Sequence, residues 1–539
     1  MTEQQLQGMN ETAFRSLARQ LMSTLGEQTE VIESTQAALA AKAKEVQFKD
    51  TVIAKLSFEM ATLRRAKFGR TAETLDAQQR ALFEEAIDED LAAIDVQLDA
   101  VGPKKPSQEK RQPKRTPIPD DLPRTEIFHE PQNTQCPCGC QLKRIGQDVS
   151  EKLDYTPGTF TVERHVRGKW ACAQCETIIQ APVPAHVIDK GLPTAGLLAQ
   201  VLVAKYADHL PLYRLEGIFA RSGATLARAT MADWVGVCGV QLNPLVQRLR
   251  EIVLAQDILH ADETPVTTLK PGEKGTLRAY LWAYSPSKHD SLKAVIYDFA
   301  KGRAGKHASD FLGDWRGKLL VDDFSGYKAL FRQGVTELGC MAHARRKFYD
   351  LHQSNGSEIA AQALVIIGRL YEIERQTESM GPDERWRIRQ TKAKPIMNRY
   401  RQWLTLQRQR ATNGTAIAKA LDYSLKRWDA LARYVDDGRV AIDNNHIENR
   451  IRPVAQGRKA WLFAGSLRAG ERAAAVMTLI QTAKLNGHDP YAYLKDILTR
   501  LPTHPNSCID ELLPRNWMPE VAEPADDSAP LPHLEHAAG

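Results

Sequence analysis

The sequence predicts a multidomain α+β protein: a mixed-sheet core flanked by helices, a helical insertion within it, a cysteine-rich segment before it and an N-terminal helical arm. Three observations carry that prediction. At 539 residues the chain exceeds the roughly 250–300 residues at which a single core stops growing. Its apolar periodicity is helical up to about residue 250, strand-like from 252, and helical and basic again over 343–437. Five of its eight cysteines fall within forty residues, from Cys136 to Cys175.

Composition narrows the class further. An apolar fraction of 43% and a charged fraction of 26% are those of an ordinary globular protein. There is no run of about 18 apolar residues to span a membrane, and the start "MTEQQLQGMNE" lacks the basic-then-apolar form of a signal peptide. A cytoplasmic protein without a membrane partner is expected. The formal charge of +6 is concentrated: residues 102–124 carry seven Lys/Arg against three Asp/Glu, and residues 364–437 carry fifteen against nine. Such segments suit a polyanion, and equally a solvated face.

Residues 1–101 form the arm. They hold no proline, and Leu25, Ile32, Leu39, Val46, Ile53 and Met60 recur at sevens. The parallel stripe three residues on, Gln28, Thr35, Lys42, Lys49, Leu56 and Leu63, is polar in its first half. This reads as either a self-associating coiled coil, giving a homodimer or higher oligomer, or an amphipathic helix packed on its own chain. A second helix follows, with Phe83, Ile87, Leu91, Ile94 and Leu98 on one face. Six prolines mixed with Lys and Arg make 102–124 an extended basic linker.

The segment 125–189 contains "CPCGC" and "CAQC". Without a secretion signal, clustered cysteines point to metal rather than disulfides. Two knuckles can give one zinc ion four thiolates: Cys172 and Cys175, with two of Cys136, Cys138 and Cys140. Cys136 and Cys138 are the first choice and Cys140 the alternative. A zinc ribbon of this kind is structural. Residues 190–250 are helical with breaks at Pro211 and Gly223, and the helix carrying Arg228, Thr230 and Trp234 is compatible with a helix-turn-helix, although most such pairs only pack.

Residues 251–342 read as the first part of the core. Strands "DILHAD", "RAYLWAYS" and "KAVIYDF" are joined by short turns, then come helix "HASDFLGDW", strand "KLLV", helix "YKALF", strand "TELGCM" and a helix from Ala342. The order β-β-β-α-β-α-β-α sets strand one beside strand four, the ribonuclease H-like arrangement. Residues 343–437 are the helical insertion, 438–500 return to the core, and 501–539 are a C-terminal segment ending in a Pro/Ala/acid-rich tail with a disordered composition.

Within the core, Asp262 and Asp322 each follow an apolar run, and each has a second acid next to it, Glu263 and Asp323. If the two strands are neighbours, their carboxylates converge. Like charges about 4 Å apart repel by roughly 4 kcal/mol at an effective dielectric near 20, so a cation is implied. Magnesium, hard and oxygen-seeking, suits them, and paired ions at such a site serve phosphoryl transfer. Glu448, at a helix start where Asp443 or Asn444 could cap, is a third acid, among Arg450, Arg452, Arg458 and Lys459. His343, Arg345, Arg346 and Lys347 in "CMAHARRKF" add cations just past a strand end. All eight suit DNA phosphates, and equally a salt-bridged surface.

Together the stretches "CPCGCQLKRIGQDVSEKLDYTPG", "AKYADHLPLYRLEGIF", "HADETPV", "VDDFSGY", "CMAHARRKF", "IDNNHIENRIRPVAQGRKAWLFAGS" and "KLNGHDPYAYLKDIL" closely resemble the bacterial transposases of the insertion sequence 66 family. The resemblance implies a ribonuclease H-like fold with an aspartate-aspartate-glutamate site. It implies Mg²⁺-dependent cleavage at the element's terminal inverted repeats and transfer of the 3′-hydroxyl into target DNA. It also implies small accessory proteins encoded by the same element, and association with the nucleoid while DNA is bound. "HADETP" carries Asp262 as the first carboxylate and "DNNHIE" carries Glu448 as the third. The family usually reads Asp-Gly-Tyr-x-Gly-Tyr at the second, and counting back from Tyr327 gives Asp322, with Asp323 where glycine is usual and Asn449 where arginine is often found. Two other readings are a non-catalytic DNA-binding regulator, which leaves the three acids unexplained, and a metal-dependent nuclease of the same fold without strand transfer.

Overall fold

A computed structural model describes residues 11–67, 77–102, 118, 120, 122–131, 135, 140–156, 158–188, 191–273 and 275–519. Cys136, Cys138, most of the basic linker and the acidic tail 520–539 lie outside the described residues. The chain divides into two compact units, residues 1–62 with 94–113, and residues 63–93 with 114–539. Among the described residues no helix is long and apolar enough to cross a membrane.

The first unit contains most of helix α1 (Glu11–Lys67) and the last turns of α2 (Ala77–Val101). Leu25, Ile32, Leu39 and Val46, the heptad stripe, are 51–70% exposed. The polar stripe Gln28, Thr35, Lys42 and Lys49 is exposed as well.

In the second unit, a small sheet of order β1-β3-β2 is built from β1 (Arg124–His129), β2 (Lys143–Thr156) and β3 (Thr159–Ala171), with β4 (Ile178–Gln180) paired to β3. The β2–β3 hairpin turns at Gly158, whose φ of +88° costs a residue without Cβ little. Four helices follow: α3 (Ala195–Tyr206), α4 (Leu212–Arg221), α5 (Arg228–Gln241) and α6 (Asn243–Leu254). Thr194 caps α3, its hydroxyl accepting from the Leu197 N–H at 3.3 Å.

The α4–α5 pair is the segment compatible with a helix-turn-helix, and one side of α5 is packed in the fold. Met231, Ala232, Trp234, Val235, Gly236, Cys238 and Gly239 are buried, and Arg228 donates to Glu84 at 2.6 Å. Gly236 lets α2 approach so closely that a Cβ there would lie 2.2 Å from the Glu89 carbonyl oxygen.

The main sheet has order β7-β6-β5-β8-β9, from β5 (Ile258–Leu269), β6 (Thr276–Pro286), β7 (Ile296–Ala300), β8 (Lys318–Val321) and β9 (Thr336–Gly339). The first three are an antiparallel meander, and β8 and β9 run parallel to β5. Helices α7 (Gly305–Leu312) and α8 (Lys328–Arg332) fill the crossovers. One expectation is corrected here. Asp262 does not end its strand: β5 runs on through "ETPVTTL" because its whole length pairs with β6, whereas β8 meets only its first three residues.

The two sheet faces bury different cores. Leu259, Ala261, Leu319 and Val321 join a core shared with α3–α6. Ile258, Leu320 and Leu338 join another, shared with the helical insertion. The insertion comprises α9 (Met341–Asn355), α10 (Glu358–Gln376), α11 (Pro382–Ile388), α12 (Lys394–Arg410), α13 (Ala416–Lys426) and α14 (Trp428–Ala432). At its centre the fully buried Arg389 forks onto Glu374 at 2.9 and 2.5 Å and donates to the carbonyls of Tyr434, Asp437 and Val440. All its charge is thereby neutralised and its donors satisfied, the condition under which a buried arginine is tolerated.

The chain returns through α15 (Asn445–Trp461), α16 (Leu467–Leu485) and α17 (Pro490–Arg500). Helix α16 covers the open edge of β7, its Thr478 and Thr482 hydroxyls accepting from the Tyr297 and Val295 N–H groups at 2.9 and 3.2 Å, so the edge offers no ready template for a foreign strand. A buried ionic network joins α2 to this layer: Lys205 bonds Glu85 and Glu89, and Arg472 bonds Glu89 at 2.5 Å and Asp90 at 3.0 Å. The expected face of α2 buries Phe83 and Ile87; the burial of its acids was not expected, because their partners lie 120 to 383 residues away.

Candidate functional site

The parallel register places the acids. Leu259 pairs with Leu319 and His260 with Leu320, so the same register carried two residues further sets Asp262 level with Asp322. Side chains alternate along a strand. Asp262 therefore follows Ile258 and His260, and Asp322 follows Leu320, onto the face covered by the insertion. Glu448, in the first turn of α15, lies near enough for its charge to act on Asp262. Burial pushes the Asp262 carboxyl up to about 8, and the charges of Glu263, Asp322 and Glu448 push it the same way.

Asp323 goes elsewhere. It is half exposed and pairs with Arg427 at 3.1 Å, while Asp322 turns back to accept the Phe324 N–H at 2.8 Å.

The site has a supporting layer that the sequence reading left out. Glu263 is buried on the other face, where Arg303 donates to it at 2.7 Å and the Tyr327 hydroxyl at 2.9 Å. Arg303 in turn lies 3.9 Å over the Phe324 ring. Tyr327, whose only use in the sequence was to count a motif, thus ties the β8 exit to β5. Asn444 bonds the Ala261 carbonyl at 2.9 Å and His260 Nδ1 at 2.9 Å, and its N–H reaches Cys340 Sγ at 3.2 Å. Its side chain is therefore spent on β5 and does not cap α15; Asp443 Oδ1 accepts the Asn445 N–H instead, at 3.1 Å. The signal for Asn444 was its place in "DNNHIE" beside a catalytic-type acid; for Arg303 there was none.

The expected DNA-contacting cations divide. His343, Arg345 and Arg346 line a cleft of about 560 Å³ together with Tyr349, Tyr371 and Glu448. Arg345, Arg346, Lys347, Arg452 and Lys459 are exposed, and Arg450 is half-buried. Arg458 is occupied in the fold, donating to the Pro265 carbonyl at 2.6 Å.

In the small sheet, the "CAQC" knuckle is a tight turn. The Glu176 N–H bonds the Cys172 carbonyl and the Cys172 N–H bonds the Thr177 carbonyl, both at 3.0 Å. Cys140 packs, with Trp170 and Ile179, against a small cluster of Leu142 and Cys172, and its thiol donates to the Gln174 side-chain oxygen at 2.7 Å.

A mixed five-stranded sheet carrying Asp262, with a cysteine knuckle before it, belongs with the transposases in comparisons with known proteins. Residues 190–472 match the family described as Transposase IS66 family, and the chain belongs to that family. Residues 478–515 match the IS66 C-terminal element, 133–176 the zinc-finger binding domain of transposase IS66, and 55–127 the Transposase C of IS166 homeodomain. The zinc-finger match agrees with the zinc expected of the cysteine cluster. The chain is also similar to three proteins of Sinorhizobium fredii (strain NBRC 101917 / NGR234). It is 37% identical to the uncharacterized protein y4qI over 514 residues, 90% of this chain and 95% of the relative. It is 34% identical to the uncharacterized protein y4hP over 486 residues, 86% and 88% of the two chains. It is 37% identical to the uncharacterized protein y4jD over 416 residues, 74% and 81%.

Proposed function

We propose that this chain is the catalytic transposase of its element, cutting the terminal inverted repeats and joining the freed 3′-hydroxyl to target DNA. The observation that carries the reading is the parallel register that sets Asp262 level with Asp322, with Glu448 near enough for its charge, like those of Glu263 and Asp322, to act together with burial in pushing the Asp262 carboxyl up to about 8. The three acids are partly buried and offer only hard oxygen donors, the donor set that fits magnesium. The strand order 3-2-1-4-5 supports a ribonuclease H-like core.

Asp262, Asp322 and Glu448 would hold two Mg²⁺ ions, whose chemistry is to activate the attacking oxygen and stabilise the leaving one. The chain's other residues position and hold. Arg345 and Arg346, in the cleft beside Glu448, orient phosphates as bidentate donors. Glu263, Arg303 and Tyr327 keep β5 and the β8 exit in register. Cys172 and Cys175 with two of Cys136, Cys138 and Cys140 bind a structural zinc. The exposed heptad positions of α1 pair protomers, which lets one complex hold two element ends.

The test is nicking of the element's own terminal repeats by the purified chain with Mg²⁺. Asp262→Asn or Glu448→Gln should abolish it, and nicking equal to the parent would refute the reading. Joined products from pre-cut ends separate a transposase from a nuclease of the same fold.

A further inference from the structure

Helices α9 and α15 begin side by side, and their starts are stitched together. The Met341 N–H bonds the Ile442 carbonyl at 3.0 Å, the Asn444 N–H bonds Cys340 Sγ at 3.2 Å, and the Tyr371 hydroxyl bonds Asp443 at 2.8 Å. At this junction three donors of different chemistry meet: Cys340 Sγ, a ring nitrogen of His343 and a carboxylate oxygen of Glu448 all lie within 4.8 Å of one another. His343 Nδ1 faces Glu448 Oε1 at 3.7 Å, beyond hydrogen-bonding distance. Both atoms are buried, and neither has a hydrogen-bond partner. Polar atoms left so cost about 1–3 kcal/mol each; two of them facing one another across a gap, with a thiol alongside, leave room for a shared third body.

We propose that Cys340 Sγ, His343 Nδ1 and Glu448 Oε1 bind a second zinc ion, distinct from that of the cysteine knuckles. A thiol and an imidazole select zinc over magnesium. Tetrahedral bonds of about 2.0–2.3 Å put ligand atoms roughly 3.3–3.7 Å apart, so donors within 4.8 Å of one another need to close by about 1.5 Å at most. Cys340 already has the outer bond such a ligand uses, from the Asn444 N–H. The cleft lined by His343 and Glu448 gives water access to the fourth position. Glu448 has a second oxygen for the Asp262–Asp322 side, so the zinc clamps the third carboxylate from behind. The proposal deepens the catalytic reading by sharing Glu448 with it.

Zinc content of the full chain, measured by elemental analysis without DNA, tests it. Two equivalents per chain are expected. Cys340→Ser and His343→Asn should each lower the count to one. Cys172→Ser/Cys175→Ser should also leave one, and cobalt in that double variant should give a thiolate charge-transfer band that Cys340→Ser removes. One equivalent in the parent, lost entirely with Cys172 and Cys175, would overturn the proposal, as would two equivalents retained in His343→Asn. Should Cys340→Ser fail to fold, His343→Asn decides, since His343 lies at the cleft surface. Asp262→Asn should keep both zincs whether or not it nicks DNA, so failure of the catalytic reading and failure of the zinc site are told apart.

Discussion

Replacing Asp322 by Asn should raise stability while abolishing activity, and replacing Asp323 should do neither. Neighbouring strands lie about 4.8 Å apart, and unit charges at that spacing repel by about 3.5 kcal/mol at an effective dielectric of 20. Asp262 escapes part of this by holding its proton, since its carboxyl titrates near 8. The gain on removing the Asp322 charge is then a fraction of the limit, about 1 kcal/mol in the absence of metal. The amide oxygen can still accept the Phe324 N–H, now bonded at 2.8 Å. Losing a metal ligand removes several kcal/mol of transition-state stabilisation, and about 4 kcal/mol is a thousandfold in rate. Asp323, 52% exposed, contributes one ion pair to Arg427, which keeps Glu337 at 2.7 Å. Such a pair is worth about 0–1 kcal/mol, and nicking by Asp323→Asn should stay within a few-fold of the parent. Urea denaturation in EDTA and nicking of terminal-repeat DNA in Mg²⁺ read the two quantities. If Asp323→Asn abolishes nicking while Asp322→Asn spares it, the register is wrong by one residue. If Asp322→Asn is strongly destabilised, the crowding is not there.

Other consequences are as direct. Arg472→Met leaves Glu89 and Asp90 short of their buried cation and should cost about 3–5 kcal/mol in urea denaturation; a loss under about 1 kcal/mol would mean the network is open to water. Leu39→Glu, on the exposed heptad stripe, should shift sedimentation of the full chain toward monomer without moving the melting temperature of the second unit, and an unchanged oligomer would exclude that stripe as the pairing face. Burial, then the charges of Arg385, Lys288 and Arg389, hold His289 neutral, its pKa lowered to about 2. The unfolded chain takes up that proton below about pH 6.5, so this contribution is fully present above 6.5 and is lost as pH falls toward 2. His289→Gln should flatten the fall in urea midpoint from about pH 6.5 to about pH 5; an unchanged slope would assign acid sensitivity to other groups.

Much of the core was legible because local signals are strong there. "KLLV" became a strand as read and "TELGCM" one that stops at Gly339, and short turns between "DILHAD", "RAYLWAYS" and "KAVIYDF" meant a meander. The pattern of small and apolar residues compatible with a helix-turn-helix suits burial as well, and half of the residues of α5 are buried. The supporting residues Arg303, Tyr327 and Asn444 could not be found from spacing. Their partners are 40, 64 and 183 residues away.

By itself the sequence determined the family, the element order and three acids suited to a divalent cation, since motif and periodicity are properties of neighbours along the chain. The count back from Tyr327 picked Asp322 from "VDDFSGY", but the face on which its side chain lies is a tertiary matter. Alternation could not choose while both faces of the sheet were apolar; only the β5–β8 register and the division of Leu319 and Leu320 between two cores put Asp322 on the face of Asp262 and left Asp323 to Arg427. The junction of Cys340, His343 and Glu448 is of the same kind, because donors more than a hundred residues apart become a site only when two helix starts are bonded to each other.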